Sequence, residues 1–182
     1  MHTWTTDLPR VFLAYRHGTP DQRIVHALVE RLTRELCTDC EPHLRKAELY
    51  FDRERLIAGD AWEPILRQEL HSANIYLFVV SLHSAADSNI FMWREEFPVA
   101  AKRWWEGTAW IIPIIVDDVT TILDNDERTR FLSQNHSAPS PRAGFKTLLE
   151  EAWFNAVTLS VKEACMRFST QIPWDADQER EA

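Results

Sequence analysis

Glu96, Arg16, His17 and Asp52 are side chains of this chain that can do chemistry. Glu96 stands in the run Ser88-Asn-Ile-Phe-Met-Trp93-Arg-Glu95-Glu96-Phe97-Pro98-Val-Ala-Ala, between two apolar, strand-like stretches. A carboxylate beside a tryptophan, on the rim of a helix's buried face, can stabilise a cationic centre, hold a hydroxyl or move a proton. It can equally be an ordinary half-exposed helix acid. Arg16 and His17 end the short apolar run Val11-Phe-Leu-Ala-Tyr15, and Arg53 and Arg55 follow Asp52 in a loop. Arginines so placed either neutralise a phosphate or are simply solvated.

Several other chemistries fail on residues. With only four glycines, the chain holds no Gly-x-Gly-x-x-Gly and no Gly-x-x-x-x-Gly-Lys, so the common phosphate-cradling loops are excluded. Ser81, His83 and Asp87 lack the Gly-x-Ser-x-Gly elbow of a hydrolase triad. Cys37-Thr-Asp-Cys40 lies near His43, but a structural zinc site needs four ligands and Cys165 is the one thiol left. A redox pair belongs after a strand, at the head of a helix, and this one follows a helix. A receiver domain would need acids after the first strand and an Asp after the third; Arg16-His17 and Ser81-Leu82 stand there.

Composition narrows the partners. The chain has 182 residues and a net charge of −8, so nucleic acid finds no bulk attraction and any anion needs a local basic cluster. Three cysteines make no disulfide framework. The first nine residues carry no basic start or apolar stretch of a secretory signal, and the longest apolar runs are too short to span a bilayer. A cytoplasmic protein with no membrane contact and no metal is the expectation.

The elements that must position these residues alternate. Val11–Tyr15 reads as a buried strand. Pro20-Asp21 opens a helix through Cys37, with Ile24, Leu28, Leu32 and Leu36 on one face beside Val25 and Val29. Glu48-Leu-Tyr-Phe51 is a second strand. A loop runs from Asp52 to Gly59, then Asp60 caps a helix to about Ser72, with Glu63 in capping-box position. Asn74–Val80 is almost wholly apolar, as in the middle of a parallel sheet. The Glu96 helix ends near Gly107, and Trp110–Val116 is a strand whose Pro113 belongs near an edge or a bulge. Residues 117–134 are acidic and weakly helical, 135–143 are a loop, and Phe145 to about Phe168 is a long last helix before a polar tail. Strand–helix alternation of this kind means a parallel α/β sheet covered on both faces.

Ligands of such sheets bind outside the carboxyl ends of the strands. Those ends deliver Tyr15, Arg16 and His17, then Phe51 and Asp52 with the loop to Gly59, then Ser81, Leu82 and His83. At about 100° per residue, Ile90, Trp93, Phe97, Ala100 and Trp104 form the buried stripe of the next helix. Glu95 then points to solvent and Glu96 lies on the rim. Pro98 should kink or break this helix, because it removes the bond to Arg94. Trp93 on that stripe reads as packing or as the wall of an aromatic site.

Together these segments resemble a Toll/interleukin-1 receptor (TIR) domain of the bacterial kind. Val11-Phe-Leu-Ala-Tyr15-Arg16-His17 is similar to its first motif. Tyr50-Phe51-Asp52-Arg-Glu-Arg-Leu56-Ile-Ala58-Gly59-Asp60-Ala-Trp62 is similar to its second. Val79-Val80-Ser81, then Ser88 through Trp93 to Glu96-Phe97, resembles the strand and helix that carry the family's glutamate, and Trp110-Ile-Ile-Pro113-Ile-Ile resembles its fourth strand. The resemblance covers roughly residues 9–170, leaving tails at 1–8 and 171–182. It implies a flavodoxin-like, three-layer α/β fold with a parallel sheet of four to five strands.

It also implies a function: cleavage of the nicotinamide–ribose bond of NAD⁺, giving nicotinamide and ADP-ribose or a cyclic or variant form. NAD⁺ is then substrate, with no cofactor and no metal. By that resemblance Glu96 is the catalytic glutamate, Tyr15, Arg16 and His17 contact substrate, Phe51, Asp52, Ala58 and Gly59 wall the nicotinamide side, Ser81 binds substrate, and Trp93 binds it while stacking near the glutamate. Trp93 precedes Glu96 by three residues, where many relatives have four. The implied setting is an immune or antiphage effector, switched on by self-association with other TIR domains and with a sensor domain or separate sensor protein. A non-catalytic TIR–TIR adaptor is the alternative, and nucleoside deoxyribosyl transfer a more distant one.

Overall fold

The computed structural model describes residues 8–18, 21–36, 47–50, 62–86, 90–117, 132 and 150–169. Four strands form one parallel sheet: β1 (Arg10–Ala14), β2 (Glu48–Tyr50), β3 (Ile75–Val80) and β4 (Trp110–Ile115), in the order β2-β1-β3-β4. This is the flavodoxin-like order. Its helices are α1 (Asp21–Leu36), α2 (Trp62–Ser72), the one-turn α3 (Leu82–Ala85), α4 (Phe97–Trp105) and α5 (Glu150–Ser169).

The strands owe their places to alternation. Val11, Leu13 and Tyr15 of the β1 segment, Ile75, Leu77 and Val79 of β3, and Ile112 and Ile114 of β4 bury one face against α1 and α5. Phe12, Ala14, Tyr76, Phe78, Val80, Ile111 and Ile115 bury the other face against α2 and α4. Period-two side chains thus serve two cores, and the fold is three-layered. All six β3 residues are buried, as the apolar run Asn74–Val80 requires of a central strand. Register runs from Val11 opposite Ile75 to Ala14 opposite Phe78, and from Ile75 opposite Trp110 to Val80 opposite Ile115.

Both ends of the sheet are pinned. At the amino end Asn74 donates its N–H to the Arg10 carbonyl at 2.8 Å, accepts the Arg10 N–H on Oδ1 at 3.1 Å, and accepts the Trp110 N–H at 2.8 Å. Arg103 of α4 donates to the carbonyls of His71 and Ala73, closing the end of α2, and reaches the Tyr76 hydroxyl at 3.3 Å. At the carboxyl end Trp153 of α5 donates its indole N–H to the Ile115 carbonyl at 2.9 Å. Trp153 is wholly buried, so leaving that N–H unpaired would cost about 1–3 kcal/mol.

β2 is Glu48–Tyr50 and the last helix is Glu150–Ser169 among the described residues; the expected strand end Phe51 and helix start Phe145 lie outside them. One expectation is corrected. Pro98 does not break its helix. Met92–Glu96 forms a π turn, in which the Phe97 N–H donates to the Met92 carbonyl five residues back, and α4 continues directly from it. Proline has no N–H for the Arg94 carbonyl, and its ring would strike that carbonyl in a regular α-helix. The wider turn removes the conflict, and Pro98 falls in the first turn of α4, where the lack of an N–H is tolerated. Cys37, Cys40, His43, Phe51, Asp52, Arg53, Arg55, Ala58, Gly59, Asp60, Asp87 and Ser88 lie outside the described residues.

Candidate functional site

In a β2-β1-β3-β4 sheet the strand order reverses between β1 and β3, and the crevice outside their carboxyl ends is where such folds take ligands. Three described segments meet at this edge: Tyr15–Gly18 after β1, Ser81–Ala86 after β3, and Val116–Asp117 after β4.

The β1 end supplies a guanidinium and an imidazole. Tyr15 is 5 % exposed and lies ring to ring with His17 at 4.3 Å, while His17 itself is exposed. Gly18 follows with a φ of 71°, which turns the chain away from the sheet in a conformation that suits glycine. Arg16 is half-buried and donates from its guanidinium to the His83 carbonyl, so it spans the crevice from β1 to β3.

The β3 end is a tight cap. Ser81 is fully buried at the N-cap of α3, and its side chain accepts the Ser84 N–H at 3.1 Å. The Ser84 hydroxyl returns the bond, accepting the Ser81 N–H at 2.9 Å. This capping box engages the Ser81 hydroxyl, which the strand-end rule offered to a ligand. Ser81 therefore shapes the crevice floor.

Glu96 is 7 % exposed, so it is buried rather than on the rim. The π turn explains the difference from the face pattern. Its extra residue brings Met92, Trp93, Glu96 and Phe97 all inward, a broader inward face than a 3.6-residue turn gives. Glu95 is not simply solvated either: it meets Arg67 of α2 at 3.2 Å, and Arg67 also holds Glu63 at 2.9 Å. The Glu63 hydrogen bond is the main cause raising the Arg67 guanidinium above its ordinary pKa, against a lowering by burial.

Trp93 is 3 % exposed and does not face an open cleft. Its ring stacks near Phe78 at 6.2 Å and meets Phe97 edge-on at 5.7 Å. Its indole N–H donates to the Ser84 carbonyl at 2.6 Å. That bond fastens the π turn carrying Glu96 to the turn after β3.

Asp117 was passed over in the sequence as the start of an acidic stretch. It is 6 % exposed, and its Oδ2 accepts the Leu82 N–H at 3.2 Å. The strand-end rule that picked out Arg16 and Ser81 would have found it, because it ends the apolar run Ile114-Ile115-Val116. Tyr15, Arg16, His17 and Ser81 thus collect at one edge, with Trp93 bonded to it, while Phe51, Asp52, Ala58 and Gly59 are outside the described residues. Among the described residues no group of three His, Cys, Asp or Glu could hold a metal ion, and no helix is long and apolar enough to cross a membrane.

No family model and no curated protein matches the chain. Among solved structures, a conserved protein from Enterococcus faecalis V583 is similar with a TM-score of 0.45 and 11 % identity, over 91 % of this chain and 100 % of that one. A likeness that remote assigns no activity.

Proposed function

We propose that the chain is a TIR-type NAD⁺ glycohydrolase with Glu96 as its catalytic carboxylate. One observation carries the reading: a buried glutamate in a π turn, on a helix bonded to the switch-point edge of a flavodoxin-like sheet. Burying a carboxylate is unfavourable unless partners compensate, and π turns recur at functional sites.

The chemistry suits that carboxylate. The bond between ribose C1′ and the nicotinamide nitrogen breaks, and its electron pair leaves with the nicotinamide, which becomes neutral. The ribosyl centre takes on oxocarbenium character, which a fixed carboxylate stabilises as glycosidases do. Glu96 also accepts hydrogen bonds from ribose hydroxyls. Water then adds at C1′ and loses a proton, giving ADP-ribose. Nicotinamide leaves readily, so a strong general acid is not needed. Arg16 supplies positive charge for the pyrophosphate within a chain of net charge −8, and His17 offers a ring nitrogen beside it.

A TIR–TIR adaptor is the second reading. Leu159 and Met166, seven residues apart on α5, are each 57 % exposed, with Lys162 and Glu163 between them on the same side, a mixed apolar and charged face suited to protein contact. NAD⁺ consumption by wild type and Glu96→Ala, at high protein concentration or with crowding agent, separates the two. Loss of turnover in Glu96→Ala supports the enzyme; no turnover by wild type under any clustering condition supports the adaptor.

A further inference from the structure

Three successive residues of α3 are each held by a side chain from a different element. The Leu82 N–H goes to Asp117 at the end of β4, at 3.2 Å. The His83 carbonyl takes Arg16 from the end of β1. The Ser84 carbonyl takes the Trp93 indole N–H from the π turn, at 2.6 Å. Within the turn, the Ser81–Ser84 capping box fixes the backbone, and the Ser84 hydroxyl also lies 3.2 Å from the Val79 and Ser81 carbonyls. The Asp117 side rests on a firm base. The Val116 N–H donates to the Val80 carbonyl at 2.9 Å, and Trp153 holds the Ile115 carbonyl.

We infer that Asp117 is a positioning residue: by holding the Leu82 N–H it fixes α3, and through Ser84 and Trp93 it sets where the Glu96 carboxylate stands relative to Arg16. This rests on the reading of Glu96 as the catalytic residue. Asp117 touches no substrate in this role. Its acceptor oxygen matters, because the Leu82 N–H is one of the helix-start donors that has no partner within so short a helix. Leu82 is 38 % exposed, and its backbone bond to Asp117 ties the turn to the end of β4. Misplacing a reacting group by about 1 Å can cost roughly 100-fold in rate, so a small tilt of α3 suffices to be read.

The test uses the full chain and two readouts, the Trp93 indole N–H resonance and NAD⁺ kinetics. Trp93→Phe assigns the resonance by its loss. Asp117→Ala removes the acceptor. Leu82→Pro removes the donor instead and is compatible with the backbone, since proline is favoured at a first helical position and Ser81 before it is extended, with φ −124° and ψ 170°. Asp117→Asn keeps an acceptor oxygen. Arg103→Ala, at the opposite end of the sheet, controls for general loss of stability.

The expected result is that Asp117→Ala and Leu82→Pro both shift the Trp93 signal and lower kcat by about tenfold or more, with KM within about threefold. Asp117→Asn and Arg103→Ala leave the signal and the per-folded-molecule kcat near wild type. The inference falls if Asp117→Ala or Leu82→Pro folds with an unmoved Trp93 signal, or if Asp117→Asn behaves like Asp117→Ala. If wild type itself turns over no NAD⁺, the enzymatic reading fails on its own, and the Trp93 resonance still decides the coupling.

Discussion

Glu95 and Glu96 are neighbours in the chain with opposite fates. Glu95 is partly exposed and ion-paired with Arg67 of α2, whereas Glu96 is 7 % exposed in the interior of the same turn. Exposed ion pairs contribute little to stability, about 0–1 kcal/mol, so Glu95 is a dispensable tether. The pair forms an internal control for the proposed chemistry. Glu96→Gln, which keeps shape and removes charge, should lower NAD⁺ turnover by roughly 100-fold or more. Glu95→Ala should stay within about threefold. Equal losses in the two variants would show that the helix, and not the Glu96 carboxylate, carries the activity.

Pro98 ties sequence to the aim of Glu96. Pro98→Ala restores an N–H that can reach Arg94 and lets an ordinary α turn replace the π turn of Met92–Glu96. Thermal stability should hold or rise, by about 1 kcal/mol, while turnover falls as Glu96 rotates. A variant with wild-type kcat would mean that the π turn is set by packing of Met92 and Trp93 and not by proline.

Arg16 should act on binding more than on rate. Arg16→Ala removes positive charge from the crevice and releases the His83 carbonyl. An increase in KM of about tenfold, shrinking as salt is raised, is the expected outcome of substrate titrations at two ionic strengths. A change confined to kcat would assign Arg16 to the same positioning network as Asp117.

Tyr76 gives the fold an alkaline limit. Burial raises its phenol above the ordinary value of 10.0, partly opposed by the nearby Arg103 cation. The neutral phenol donates to the Leu70 carbonyl at 2.6 Å. A raised acid favours folding while it stays protonated, so this contribution is present below about pH 10 and is lost as pH rises through the higher folded value. Tyr76→Phe should be less stable than wild type at pH 8 by about 1 kcal/mol. Urea midpoints of the two should converge as pH is raised above the ordinary phenol value of 10.0. Curves that stay parallel would remove Tyr76 as the cause.

Much of this architecture was legible because it depends on alternation, which the sequence carries openly. Six apolar residues at Ile75–Val80 could only be a doubly covered central strand, and the i, i+4 leucines of α1 required a buried face. The strand-end rule found Arg16, His17 and Ser81 for the same reason. What stayed hidden depends on partners distant in sequence. No local pattern shows that Ser81 spends its hydroxyl on Ser84, or that Glu95 answers Arg67, 28 residues away. Proline at position 98 signalled a disturbance, but no local pattern shows that the helix answers it with a wide turn rather than a break. Asp117 is readable by the strand-end rule, but it also opens a stretch whose composition reads as acidic and weakly helical, which masks its place at the end of β4.

Pro113 bears on how the chain behaves when crowded. Trp110 and Val116 donate to β3, so by strand alternation the backbone of Ile111, Pro113 and Ile115 points away from it. At Pro113 that outer row lacks a hydrogen, and at Ile115 the carbonyl already holds Trp153. Among the described residues this strand lies at one border of the sheet. A second copy laid alongside would find gaps where cross-β growth needs an unbroken ladder. Among the described residues this border therefore resists edge-to-edge pairing and fibril seeding when the chain is concentrated.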